Sequence, residues 1–478
     1  MNLKYIINIL GSVLMILTAL LILPLIAALC YGEAAAPFLI TMAVSFALGF
    51  GLSRVKPDKT LVFANDGFIS VGLCWIVLSL VSALPFVISG DIPGYADAFF
   101  ETVSGYTTTG STVVANPEAM SRGCMFWRLF THWIGGMGVI VFLLMILKKG
   151  GEQSMHIMRA EVPGPTVGKL VPRVKQSAMI LYGIYIGLTL LQTVLLMLGG
   201  VSFYEALLHS FATAGTGGLS TRGASIAGFN SLYVEIVITV FMLLFAVNFN
   251  LYYLILLKRF RQITKNEELR TFIIIVIVAM IAIAAGIAKQ YGGFWKGLRY
   301  SSFQVASIVS TTGFGTADYT EWPQYCQIII LMLMFCGGCA GSTAGGLKLG
   351  RVMIFLKACF ADLKMVFRPR RVKTVKIDGK IISPEAVRAA YGYFTLYFIL
   401  VLVVAFLVSF DGFDFATNFT AGVTVMSNVG PGFGVICPSG NFADFSSFSK
   451  VVLSVGMLLG RLEIYAILAL FFPKERKH

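Results

Sequence analysis

Apolar residues run along this chain in blocks too long for the helices of a globular core. Runs of about 20 mostly apolar residues, the length that crosses a hydrocarbon layer, fall near 5–30, 37–53, 68–89, 124–147, 178–199, 231–257, 271–288, 325–357, 388–410 and 447–472. The pattern predicts an all-α membrane protein with ten candidate spans. In the first run Leu29 precedes Cys30 with no small-residue cleavage site, so it reads as a retained helix rather than a signal peptide. The run from 325 is interrupted between Gly337 and Gly346, which predicts a broken helix.

Composition agrees. Of 478 residues, 57% are hydrophobic and 13% charged, about half the usual supply of charge for a soluble domain. Soluble enzymes, coiled coils, disordered chains and nucleic-acid binders are therefore poor readings, despite a net charge of +14. The basic residues cluster instead. With the amino terminus inside, the segments 54–66, 148–177, 258–270, 348–387 and 473–478, with Lys4 and Arg388, hold 29 of the 37 Lys and Arg. That is the positive-inside pattern and places both termini in the cytoplasm. Acids such as Asp97, Asp318 and Asp414 lie on the outer side, where each is a solvated loop charge or helps to concentrate cations. The eight cysteines are scattered through apolar runs, and Cys336 and Cys339 read as small reduced fillers rather than a redox pair.

After the first two helices the chain divides into four blocks of one plan: helix, outer re-entrant segment, helix. The predicted division is 1–60 for the amino-terminal helix pair, then 61–150, 151–265, 266–370 and 371–478 for four pore repeats. The re-entrant segments read AFFETVSGYTTTGSTV (98–113), ALLHSFATAGTGGLST (206–221), SSFQVASIVSTTGFGT (301–316) and TNFTAGVTVMSNVGPGFG (417–434). Each opens as a short amphipathic helix and ends in small, hydroxyl or amide residues about a glycine. Alignment sets Gly110, Gly217, Gly313 and Gly430 in register. Irregular backbone at membrane depth survives only where protein buries it or where it lines a watery cavity. Four such segments would converge on a pseudo-fourfold axis, where carbonyl oxygens could replace a cation's hydration shell. The alternative, four tight Gly/Thr turns, does not explain four aligned occurrences on one side.

These motifs resemble the four pore loops of the Trk/Ktr/HKT superfamily of potassium transporters: TTTGSTVV (107–114), TAGTGGLSTRG (213–223), STTGFGTADY (310–319) and SNVGPGFGV (427–435). FCGGCAGSTAGGLKLGRV (335–352) and LLGRLEIY (458–465) extend the match to nearly the whole chain, and the extra amino-terminal helix pair is similar to the TrkH-like branch. The resemblance implies that Gly110, Gly217, Gly313 and Gly430 form a selectivity filter for a potassium ion, with backbone oxygens of Thr109, Thr216, Thr312 and Val429 contributing, and no covalently bound cofactor. Glycine at all four positions is similar to the potassium-selective pattern. It further implies that Gly337, Gly338, Gly341, Ser342, Thr343, Gly345 and Gly346 belong to an intramembrane gating loop below the filter. Arg461, in the last run, would be an electrostatic barrier in the pore, or would simply pair with Glu463 or with carbonyls. Besides the lipid bilayer, the implied partners are a second copy of the chain and a TrkA-like cytosolic nucleotide-binding ring, for which the basic loop 364–380 is a candidate contact. The implied location is a bacterial inner membrane.

The function expected is gated, channel-like potassium uptake. The alternatives are a proton- or sodium-coupled potassium symporter, which would show more ionisable relay groups inside the spans, and the potassium-translocating subunit of an ATP-driven pump. An enzyme is the least supported reading, for His132, His156, His209 and His478 show no metal-ligand spacing.

Overall fold

The computed structural model describes residues 3–56, 64–138, 174–367, 374–464 and 466–468. At the amino terminus, α1 (Leu3–Leu20) and α2 (Ile22–Cys30) continue as one 28-residue apolar span, and α3 (Ala36–Ser53) returns beside α1. Small residues let the two close. A side chain on Gly49 would come 2.9 Å from the Met15 amide nitrogen, and Thr18 Oγ1 shares a 2.8 Å hydrogen bond with Ser45 Oγ inside the contact. Lipid gives helices no hydrophobic drive to associate, so close approach and polar ties do the work.

The rest is built from four helix–short helix–helix units. The first comprises α4 (Ala64–Ser82), α5 (Leu84–Ser89), the short α6 (Tyr95–Tyr106) and α7 (Arg122–Gly136). The second has α8 (Val174–Leu198), the short α9 (Phe203–Gly215), α10 (Leu232–Phe245), α11 (Phe249–Leu256) and α12 (Phe260–Thr264). The third has α13 (Glu267–Ile287), the short α14 (Phe294–Val309), α15 (Gln324–Cys336) and α16 (Leu349–Phe367). A two-stranded antiparallel hairpin, β1 (Lys376–Ile377) and β2 (Lys380–Ile381), leads into the fourth: α17 (Pro384–Val408), the short α18 (Phe415–Ser427) and α19 (Ser447–Arg461). The helix after each short helix packs on the short helix of the next unit: α7 on α9, α10 on α14, α15 on α18, and α19 back on α6. The units thereby close a circle.

Among the described residues, six helices are long and apolar enough to cross a membrane. They coincide with the predicted runs at 5–30, 37–53, 68–89, 178–199, 271–288 and 388–410. The other runs differ in instructive ways. The run at 231–257 is bent by 92° between α10 and α11. Asn248 caps α11 by accepting the Asn250 amide at 2.9 Å, while the freed carbonyls of Phe245 and Ala246 accept from the intramembrane loop. The run from 325 is broken as predicted, its first piece being the 13-residue α15. In the last run, α19 ends at Arg461 because Glu463 and Ile464 take positive φ, 56° and 63°. The run at 124–147 is helical to Gly136, and 139–147 lies outside the described residues.

The core follows the membrane's inverted logic. Isoleucines and valines such as Ile274 and Val278 on α13 face outward, where lipid replaces water. The interior around the pore loops holds serine, threonine and aromatic rings. Tyr106, fully buried at the end of α6, sits between Trp75 and Trp127 with ring centroids 6.5 and 6.4 Å away, and its hydroxyl shares a 2.9 Å hydrogen bond with Ser82.

Candidate ion filter and intramembrane loop

Each short helix stops in the same way. The amide nitrogens of Thr109, Gly217, Thr312 and Val429 donate back five residues, to the carbonyls of Ser104, Ala212, Ser307 and Thr424, at 2.8 to 3.0 Å. This closure needs a left-handed residue just before it, and that place is taken by Thr108, Thr216, Thr311 and Asn428, at φ 54°, 56°, 56° and 53°. A β-branched threonine at positive φ is strained, and such strain gathers where function holds the backbone. Two residues on, Gly110, Gly218, Gly313 and Gly430 again have positive φ, 82°, 70°, 86° and 99°.

The equivalent glycine of the second loop is therefore Gly218, which corrects the register that set Gly217 beside Gly110. Gly217 holds the position of Thr109, Thr312 and Val429, and Thr216 that of Thr108. The signal was in the sequence as a Thr/Asn-x-Gly triplet: Thr108-Thr-Gly, Thr216-Gly-Gly, Thr311-Thr-Gly and Asn428-Val-Gly. The doubled glycine hid it.

In this register the loops meet head to tail. A side chain on Gly110 would strike the carbonyl oxygen of Gly217; one on Gly218, that of Thr312; one on Gly313, that of Val429; and one on Gly430 would come 2.7 Å from that of Thr109. The four oxygens of Thr109, Gly217, Thr312 and Val429 thus lie one behind the next around a closed ring, and among the described residues no N–H or O–H donates to them. Buried carbonyls rarely go without a partner, so this ring lacks a positive one. By contrast, the Gly430 carbonyl accepts from the Thr424 and Ser111 hydroxyls, at 2.7 and 3.3 Å, and is already occupied. Gly110, Gly218, Gly313 and Gly430 all line a single mouth of about 110 Å³ above the ring. The four short helices end just beneath it, aiming their negative carboxyl ends inward.

The acids around the mouth are engaged. Asp97 pairs with the buried Lys450 at 2.7 Å, and Asp414 accepts from the Thr417 hydroxyl. Burial pushes the Asp318 carboxyl up, but bonds from the hydroxyl and amide of Thr320 and from Ser439 outweigh it and hold it below the usual aspartate range.

On the far side of the ring lies the segment from Gly337 to Lys348, and the foot of the filter holds it. Thr216 Oγ1 donates to the Thr343 carbonyl at 3.1 Å, the Gly345 amide donates to Thr311 Oγ1 at 2.7 Å, and a side chain on Gly345 would come 2.6 Å from the Ser427 carbonyl. The bend between α10 and α11 holds its flank: Cys339 and Thr343 donate to the carbonyls of Ala246 and Phe245, and Phe249 donates to that of Gly341. Gly337, Gly341 and Gly346 have positive φ. Gly338 is boxed by the Ala344 methyl, which a side chain would meet at 2.6 Å. Ser342 bonds the Cys339 carbonyl at 2.6 Å. Cys336 and Cys339 are both free thiols.

Arg461 is 8% exposed and donates to three carbonyls: Thr343 at 2.8 Å, Gly135 at 2.6 Å and Gly136 at 2.9 Å. It thereby joins α19, the end of α7 and the intramembrane loop, and Glu463 pairs with Arg351. A second cation that sequence reasoning passed over stands nearby. Lys348 is 2% exposed and donates to the Ala344 carbonyl inside the loop. Glu268, also unremarked, accepts the Ala340 amide at 2.8 Å and faces Gly350 at the start of α16, where a side chain would come 2.9 Å from its Oε1. Neither follows a motif, for their partners are 4 and 72 residues away in sequence.

Comparison with known proteins then places the chain. The family model TrkH, described as "Cation transport protein", matches residues 35–287 and 295–477. The chain belongs to the TrkH family. It is 34% identical to the "Trk system potassium uptake protein TrkH" of Vibrio parahaemolyticus and 33% identical to that of Escherichia coli K12, with 99% of each chain covered in both cases. It is also 32% identical to the "Trk system potassium uptake protein TrkG" of Escherichia coli K12, over 94% of this chain and 93% of that protein. The crystal structure of the potassium transporter TrkH from Vibrio parahaemolyticus superposes with a TM-score of 0.89 at 32% identity, covering 99% of both chains. As a TrkH family member it is a multi-pass membrane protein.

Proposed function

We propose that this protein takes up potassium through a gated, selective pore, with the four units as pseudo-symmetric repeats and the carbonyl ring of Thr109, Gly217, Thr312 and Val429 as the ion's coordination shell. The observation that carries this reading is that ring: four buried oxygens from four units, adjoining head to tail, with no donor among the described residues. A dehydrated monovalent cation supplies what they lack. The relatives' names support potassium as the ion. The intramembrane loop lies across the path beneath the ring, with Arg461 and Lys348 adding positive charge there, and its displacement opens the pathway.

The mouth side is extracellular and the basic side cytosolic, in an inner membrane. A second copy of the chain and a TrkA-like nucleotide-binding partner complete the system. The hairpin and the basic segment 364–380 are the partner's contact, of which 368–373 lies outside the described residues. Among the described residues, ionisable groups inside the protein are held by fixed partners, Glu235 by Arg299 at 2.7 Å and Arg461 by three carbonyls, which supports passive flow over coupled symport.

The test is potassium and sodium flux into liposomes holding the purified protein. Gly110→Ser, which would push a side chain into the Gly217 carbonyl, is expected to abolish discrimination between the two ions. Arg461→Ala is expected to raise basal flux. Retained selectivity in the serine variant would refute the filter.

A further inference from the structure

Two residues beyond the filter glycines, neighbouring loops are tied to one another around the mouth. Between the second and third, the Gly315 amide donates to Ser225 Oγ at 3.1 Å. Between the third and fourth, the Tyr319 hydroxyl donates to the Gly432 carbonyl at 2.8 Å. Between the fourth and first, the Phe442 amide donates to the Thr112 carbonyl at 2.8 Å. Those three ties are made by amides and hydroxyls. Between the first and second, the Gly223 amide donates to Glu118 at 2.7 Å, but the tie next to the filter glycines is different in kind, because a buried guanidinium makes it.

Arg128 of α7, 3% exposed, donates through Nη2 to Thr112 Oγ1 at 2.9 Å and through Nη1 to the Ser220 carbonyl at 3.1 Å. Thr112 and Ser220 each lie two residues past their filter glycine, Gly110 and Gly218. The third arm, Nε, is held at 2.6 Å by Glu101 of α6, which is 1% exposed. That carboxylate also accepts the Thr112 hydroxyl, at 2.9 and 3.1 Å, and the Val113 amide, at 2.9 Å. A planar fork with several fixed donors suits such a joint, and an ammonium cannot reproduce it. Burying both charges is costly unless every donor and acceptor is met, and here the surroundings meet them with the two loop exits themselves.

We infer that the Arg128–Glu101 pair is a positioning element for ion selectivity, a brace that fixes the spacing of the first and second filter loops and with it the width of the carbonyl ring. The brace touches no ion. It acts through Thr112 and Ser220: Glu101 and Thr112 hold the guanidinium to the first loop, and the cost of stripping a buried charged donor of its Ser220 acceptor resists spreading at this joint. Coordination of a small ion requires the ring to contract or distort, so a stiff joint penalises sodium more than potassium. This inference rests on the filter reading given above.

The experiment uses the full-length protein in liposomes, with the ratio of potassium to sodium flux as readout. In Arg128→Lys the charge stays, but one ammonium cannot span three acceptors. The ratio is expected to fall about tenfold, a loss of roughly 1.4 kcal/mol in ion preference, while potassium flux persists. Thr112→Val keeps the buried ion pair and the side-chain shape and removes the hydroxyl that links it to the loop, so a smaller fall in the same direction is expected. A purely structural pair would instead lower yield and thermal stability at constant ratio. An unchanged ratio in Arg128→Lys overturns the inference. If that variant does not fold, an unchanged ratio in Thr112→Val overturns it. Gly110→Ser in the same vesicles separates the two readings: loss of selectivity there, with none in the brace variants, removes the brace and leaves the filter.

Discussion

At the scale of single residues, the filter is a lesson in what a missing side chain permits. Gly110, Gly218, Gly313 and Gly430 stand where positive φ and a neighbouring carbonyl both forbid a β-carbon. Gly217 is constrained otherwise, since a side chain there would strike the His132 ring behind the filter. The two adjacent glycines therefore make separable predictions. Gly218→Ala is expected to cut the potassium-to-sodium flux ratio by about tenfold, as a methyl group displaces the Thr312 oxygen from the ring at a cost of roughly 1–3 kcal/mol. Gly217→Ala is expected to reduce mainly thermal stability and yield. Flux ratios and melting curves of both variants check the assignment, and a reversed pattern would restore the other register. The sequence left this residue ambiguous for a physical reason. TAGTGG offers two matches to the Thr-x-Gly triplet, Thr213-Ala-Gly215 and Thr216-Gly-Gly218, and the backbone angles decide for the second.

The elements were legible to the extent that hydrophobic length dictates them. Six apolar runs became full spans, and the glycine-rich interruption after residue 336 became a break, because glycine gives a helix neither entropy nor packing. The bend between α10 and α11 was not legible, since no glycine or proline marks it. It exists because the intramembrane loop takes over the carbonyls of Phe245 and Ala246, a tertiary bargain between segments some 90 residues apart. The same loop is anchored at its opposite margin by α13 through Glu268. Removing that carboxylate leaves the Ala340 amide without its acceptor and uncaps the start of α16. Glu268→Ala is thus expected to raise basal potassium flux about tenfold, the equivalent of one charge-assisted hydrogen bond of roughly 1.5 kcal/mol, at unchanged selectivity. Flux and flux ratio measured together check this; a changed ratio would mean that the loop also shapes the filter.

For the whole molecule, charge and chain topology argue for one orientation. The sequence puts 29 of the 37 basic residues in the segments expected inside, and Asp97, Asp318 and Asp414 in those expected outside. Cys437, half-buried beside the mouth, should react with a membrane-impermeant maleimide applied to the outer face of intact spheroplasts. A cysteine introduced by Lys380→Cys in the hairpin should react only after permeabilisation. The opposite labelling pattern would invert the topology and put the filter on the cytosolic side.

The circle of α7 on α9, α10 on α14, α15 on α18 and α19 on α6 is closed by a single polypeptide. An assembly of identical subunits must accept every substitution four times over, whereas here each quarter can be edited alone. Asn428 among three threonines, and a guanidinium at one loop exit where the other three use amides and hydroxyls, are differences of that kind. Mutational drift can therefore retune this aperture in small steps, one wall at a time, with three unaltered walls to preserve its function meanwhile.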